Sequence, residues 1–199
     1  MVDGCGRLRT VGCVARSPRI DYPGAVHHVM NRGAAGQPIL GADDDKSLFL
    51  ELMSREAVAR QWSCHAYCLM TNHFHLIVQT SRGDLAAGMH RVGTCFANQY
   101  NREYEARGHV FHGRFQSIPV EDDEYAVELA RYLAMNPVEA GLCAAPEEWP
   151  WSSYAVTIKE GEFRPGFGDD WVLGLVAARR NVAIAGLRAL MGPGTVKNL

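Results

Sequence analysis

Ser63-Cys-His-Ala-Tyr-Cys-Leu-Met-Thr-Asn-His-Phe-His-Leu-Ile-Val-Gln-Thr80 is the stretch on which the fold turns. Two runs rich in apolar, aromatic and β-branched residues flank the dipeptide Thr71-Asn72. Runs of that kind joined by two residues read as an antiparallel hairpin, with strands over 63–70 and 73–80. Upstream, Asp43-Asp44-Asp45 precedes Leu48, Phe49, Leu52, Met53 and Ala57, an apolar series at helical spacing. Acidic residues suit the positive end of a helix dipole, so a helix is expected from Asp43 to about Arg60. Before it, Gly33–Gly41 reads as a loop and Ala25–Arg32 as a strand.

Downstream of the hairpin, Ser81–Asp84 fits a helix N-terminal cap. Leu85, Met89, Val92, Phe96 and Tyr100 then follow with helical period to about Tyr104. His109–Gln116 is a connection, and Ser117–Glu121 a short strand whose Pro119 suits an edge or a strand end. Asp122-Asp123 opens a further helix carrying Tyr125, Leu129, Tyr132 and Leu133, expected to stop at Pro137 because the residue before proline disfavours helical geometry. Pro146–Ser153 is read as loop, and Trp171–Met191 as one amphipathic stretch. The order β-α-β-β-α-β specifies an α+β, ferredoxin-like antiparallel sheet with helices on one face; the additional helix would lie against the sheet.

The chain has 199 residues, 47% hydrophobic and 21% charged, which suits one domain with a real core. No stretch is apolar for long enough to span a membrane. Met1–Ser17 mixes Gly, Arg, Cys and Val like a loose leader rather than a secretory signal, so a cytoplasmic protein is expected. The six cysteines are scattered and read as reduced and buried. Cys64-His-x-x-Cys68 lacks the second pair that a zinc site needs. A net charge of −2 argues against strong non-specific DNA binding. Yet of 20 basic residues only Lys46, Lys159 and Lys197 are lysines, and arginine suits phosphate contact and base stacking.

Three patterns carry chemistry. In His73-Phe74-His75 both imidazoles project from one strand face, half of a divalent metal site; two surface histidines are the plainer alternative. Tyr132 and Asn136 share a helix face at i and i+4. Laid over the histidine face, that helix could bring a phenol nucleophile and an oxygen ligand to one metal. Otherwise Tyr132 is a half-buried core aromatic and Asn136 a helix cap. Third, Tyr100–Tyr104 and Gly108–Phe115, with Phe111, Arg114 and Phe115, interleave aromatics with Arg and His as unpaired bases and phosphates would require; a packed connection is the alternative.

Four runs together resemble a known family. They are Ala66-Tyr-Cys-Leu-Met-Thr-Asn-His-Phe-His-Leu-Ile-Val, Gly108-His-Val-Phe-His-Gly-Arg-Phe, Leu129-Ala-Arg-Tyr-Leu-Ala-Met-Asn-Pro-Val-Glu-Ala-Gly-Leu and Trp149-Pro-Trp-Ser-Ser-Tyr. With Arg19-Ile-Asp-Tyr-Pro-Gly-Ala-Val-His-His-Val as a first strand, they resemble the REP-associated tyrosine transposases, single-tyrosine HUH enzymes of bacterial insertion sequences. The resemblance implies a catalytic domain over 18–156, a leader over 1–17 and a partly helical extension over 157–199. It implies Tyr132 as nucleophile, His73 and His75 as the HUH metal ligands, and Asn136 as third ligand. It implies Mg²⁺ or Mn²⁺, single-stranded, hairpin-containing DNA as substrate, a 5′-phosphotyrosine intermediate and rejoining in DNA transposition. Arg16, Arg19, Arg32 and Arg114, with Phe111 and Phe115, are the expected DNA contacts. Relatives of this kind act as dimers or monomers, so a homodimer stays open. The competing readings are an HUH replication nickase, a catalytically silent domesticated DNA-binding protein, and a cytosolic metal-binding structural protein.

Overall fold

The computed structural model of the chain describes residues 21–192. Arg16, Arg19, Cys5, Cys13 and the 1–17 leader therefore lie outside the described residues. Four strands, β1 (Val26–Arg32), β2 (Ser63–Leu69), β3 (His73–Gln79) and β4 (Gln116–Pro119), form one sheet in the order β2-β3-β1-β4, every pair antiparallel. This is the ferredoxin-like sheet expected from the order of elements. β2 and β3 are joined through Thr71-Asn72, closed by the Met70 N–H donating to the His73 carbonyl at 2.9 Å. Pro119 ends the edge strand β4, where a missing N–H interrupts no ladder.

Helices α1 (Asp43–Arg60) and α2 (Leu85–Glu103) cover one sheet face, burying Phe49, Met53, Val92 and Phe96 on Val29, Phe74, Leu76 and Val78. The other face, bearing Ile77, Cys68 and Ala66, is covered by α3 (Asp123–Glu139), α4 (Ser153–Ile158), α5 (Asp170–Val176) and α6 (Arg180–Leu190), with Leu129 and Leu133 fully buried. The period-2 alternation of β3 thus feeds two cores at once. A register shift between Cys64 and Ala66 puts Cys64, Tyr67 and Leu69 on the first core and Ala66, Cys68 and Met70 on the second. Cys64 and Cys68 therefore face opposite ways as free, buried thiols, raised in pKa by burial.

The structure departs from the sequence reading in four places. The cap of α2 comes from Asp21, whose carboxylate accepts the Leu85 N–H at 2.9 Å, while Asp84 is held by Arg60 and the Trp62 indole, each at 2.7 Å. Pro137 does not stop α3: it lies inside the helix, which continues to Glu139. A proline near a C-terminus removes a single ladder hydrogen bond, and here Asn136 and Pro137 are both buried, so packing outweighs the local preference. The stretch Trp171–Met191 is two short helices, α5 and α6, broken at Ala177–Arg179. Pro146–Ser153 contains a 3₁₀ turn over Pro146–Glu148, and α4 runs across the boundary read at residue 156.

The Trp149–Ser153 run stitches the second face to the hairpin. The Trp149 and Trp151 indoles donate to the Leu69 carbonyl at 2.9 Å and to Asp43 at 3.0 Å, and buried Lys46 lies over both rings.

Gly88 on α2 meets Trp62 so closely that a Cβ there would come within 2.1 Å of the indole edge. An alanine in an open helix interior stabilises by about 1 kcal/mol over glycine. Gly88→Ala is expected to reverse that sign and destabilise by roughly 1–3 kcal/mol through overpacking. Urea unfolding checks it, and a stabilised variant would contradict this packing.

Candidate active site

His73 opens β3 and His75 follows on the same face, with His75 paired across to Met30 and His73 to Arg32 of β1. His28, two residues before Met30, is the diagonal neighbour of His75 on that face. The two rings stack at 5.2 Å, and His28 Nε2 lies 2.9 Å from His75 Nδ1. The His73 and His75 rings meet edge to face at 5.1 Å.

α3 crosses above them. Leu129, Leu133 and Ala134 seat it in the second core, and the helical repeat then turns Tyr132 and Asn136 towards the histidines. The Tyr132 ring stands edge-on to His75 at 5.2 Å and to His28 at 6.5 Å. Buried Asn136, one turn on, lies close enough to the His73 side chain to influence its protonation. The chain thus brings Tyr132, His73, His75 and Asn136 together on its own, and adds His28, which the sequence reading left unassigned. The signal for His28 was its position in Val-His-His-Val. Its meaning needed the β1–β3 register, a pairing across about fifty residues.

Burial sets the electrostatics. It pushes the His75 imidazole down to about 3, with neighbouring His28 and His73 adding to the effect, and His28 down to about 4. Burial also lowers His73, against an opposing contribution from the neighbouring Asn136 side chain. All three rings are neutral at physiological pH, the form in which imidazole binds metal. His73 Nδ1 lies 2.7 Å from Asn72 Oδ1, which as an oxygen can only accept; this contact favours the tautomer with the proton on Nδ1 and the lone pair on Nε2. Two neutral imidazoles and an amide oxygen fit a divalent cation. Among the described residues no group of three or more His, Cys, Asp or Glu forms a candidate cluster, so this set depends on the Asn136 amide.

In front of these groups lies a cavity of about 740 Å³, lined by Arg32, His73, His75, His112, Arg114 and Tyr132. Arg32 and Arg114 are exposed at its rim. The Asn31 side-chain amide donates to the Gly113 carbonyl at 3.1 Å and fixes the aromatic segment beside it. Gly33 is needed at the end of β1: a Cβ there would meet the Gln37 carbonyl oxygen at 2.2 Å, and its N–H donates to Asn72. Phe111 packs its ring on Phe96 at 5.8 Å and Phe74 at 6.4 Å, and Phe115 is buried. Both line a second groove, of about 1020 Å³, beside α2. Phe111 stays partly exposed to that groove, while Phe115 is buried.

No protein-family model matches the chain. It is 24% identical over 147 residues to a Haemophilus influenzae protein described as a REP-associated tyrosine transposase, covering 65% of this chain and 81% of that one. Among solved structures it is similar to a REP-associated tyrosine transposase bound to a REP hairpin, with a TM-score of 0.61 and 14% identity over 75% of this chain and 88% of that one. Both comparisons fall in the family that the motifs resemble, and the solved relative shares the fold. Among the described residues no helix is long and apolar enough to cross a membrane.

Because His28 and His75 resist protonation in the fold, the unfolded chain binds more protons between its histidine pKa of 6.5 and about 4. Stability is therefore full above pH 6.5 and falls on acidification through that window, by roughly 1–2 kcal/mol per buried histidine at pH 5. Thermal melting with chelator present, from pH 7.5 to 5, checks this; a flat melting temperature would contradict the buried neutral imidazoles.

Proposed function

We propose that the chain is a transposase-type enzyme that cleaves single-stranded, hairpin-containing DNA through a 5′-phosphotyrosine on Tyr132 and rejoins it, using a divalent cation, in the cytoplasm. The observation that carries this reading is the Tyr132 ring 5.2 Å from His75 within one chain, one helical turn before Asn136 at His73. Nucleophile and ligand set come from one copy, which favours catalysis in cis without a paired protomer.

His73, His75 and Asn136 would hold the cation. When bound, it would supply charge stabilisation at the scissile phosphate and favour the ionised phenol. Imidazole donors suit Mn²⁺ better than Mg²⁺, which prefers oxygen. Arg32 and Arg114 at the rim hold phosphates, and His112 lines the same cavity. The Tyr132 hydroxyl oxygen attacks phosphorus, a new P–O bond forms, and the bond to the 3′ oxygen breaks to leave a free 3′-hydroxyl. The phosphodiester energy is kept on Tyr132, so a DNA 3′-hydroxyl reverses the step with no nucleotide cofactor.

Incubation with labelled hairpin DNA and Mn²⁺ or Mg²⁺ should give a covalent adduct that Tyr132→Phe abolishes and that His73→Ala reduces by at least two orders of magnitude. Cleavage that persists in Tyr132→Phe excludes this nucleophile. DNA bound without any adduct would favour the silent binding protein. Affinity for the same DNA should fall steeply between 50 and 200 mM salt as phosphate contacts release counterions, less steeply in Arg114→Ala. An unchanged slope in that variant would take Arg114 off the contact surface.

A further inference from the structure

The His28–His75 pair does work that the reaction scheme above leaves unassigned. His28 is 5% exposed and sits under α3 between the sheet and Tyr132. Its Nε2 meets His75 Nδ1 at 2.9 Å, and its own Nδ1 is buried with no hydrogen-bond partner among the described residues. A hydrogen bond between two neutral imidazoles has only two arrangements. Either His28 Nε2–H donates and His75 carries its remaining proton on Nε2, or His75 Nδ1–H donates and leaves its Nε2 bare. Only the second lets His75 present Nε2 as a ligand. His73 reaches the same state by another route, since Asn72 Oδ1 accepts from its Nδ1.

We infer that His28 is a positioning residue for cation binding: by accepting the Nδ1 proton of His75, it selects the tautomer and ring orientation that present His75 Nε2 beside His73. Partners of this kind usually are carboxylates, carbonyls or water, and losing one weakens metal affinity about 10–100-fold. A second histidine is an unusual choice because it can also donate. Its unpartnered Nδ1 is the sign of that freedom: no carboxylate or carbonyl locks His28 in one tautomer, so the pair can reverse when the site empties. This inference rests on the reading of His73 and His75 as the cation site.

The test is Mn²⁺ titration of the chelator-stripped full chain, with free Mn²⁺ followed by electron paramagnetic resonance. Wild type should bind one equivalent at a site that His73→Ala removes. His28→Phe keeps the ring volume but cannot accept, and should bind Mn²⁺ about 10–100-fold more weakly. His28→Gln, whose amide oxygen can accept from Nδ1, should restore most of that loss. Melting of His28→Phe in chelator should stay close to wild type, because one unpartnered buried atom, His28 Nδ1, is exchanged for another, His75 Nδ1. A merely structural role would instead lower the melting temperature and leave the affinity of folded protein unchanged. Should His28→Phe fail to fold, ¹⁵N NMR of Mg²⁺-loaded wild type decides: His75 must show a protonated Nδ1 and an unprotonated Nε2. Equal Mn²⁺ affinity in His28→Phe, or a proton on His75 Nε2, overturns the inference. Wild type that binds no Mn²⁺ sensitive to His73→Ala fails at the earlier step, and the cation reading falls with it.

Discussion

The antiparallel pairing of β1 with β3 is the constraint on which the site depends. It sets Arg32 opposite His73 and Met30 opposite His75, and it brings His28 diagonally against His75. Because strand side chains alternate, a one-residue slip of β1 would turn Arg32, Met30 and His28 into the α1–α2 core and bring Val29 out among the β3 histidines. The register is held by what lies beneath it. Val29, Phe74, Leu76 and Val78 are buried against α1 and α2, and no polar residue in those places would be tolerated there. Site geometry and core packing are thus two faces of the same period-2 alternation.

The second determinant is α3. Its apolar residues Leu129, Leu133 and Ala134 sit on Ile77, Cys68 and Ala66, and Arg131 reaches the Leu190 carbonyl at 3.0 Å to tie α6 behind it. Docking on that side leaves Tyr132 and Asn136 facing the histidines. The same burial that seats the helix also desolvates the imidazoles and keeps them neutral. Packing and electrostatics therefore act together: a wetter, looser α3 would misplace the phenol and let the histidines protonate.

Local signals made much of this legible. The Thr71-Asn72 hairpin, the acidic start of α1 and the His-x-His alternation each depend on neighbours along the chain. So does the i, i+4 spacing of Tyr132 and Asn136. What stayed hidden depends on partners far away. Asp21 capping α2 and His28 bonding His75 are contacts between distant segments. Pro137 remains helical because burial overrides a backbone preference. Composition could not tell that Phe115 is buried while Phe111 packs on Phe96 yet stays partly exposed to a groove, and that Arg114 stands at the rim of the neighbouring cavity.

The central claim is that one phenol, Tyr132, becomes the covalent carrier of DNA. The most direct measurement traps the protein on labelled hairpin DNA, trims the DNA with nuclease, and maps the modified peptide by tandem mass spectrometry. The account predicts a nucleotide mass on Tyr132 joined through its 5′-phosphate. A nucleotide on Tyr125, on a serine or on any other residue would contradict it.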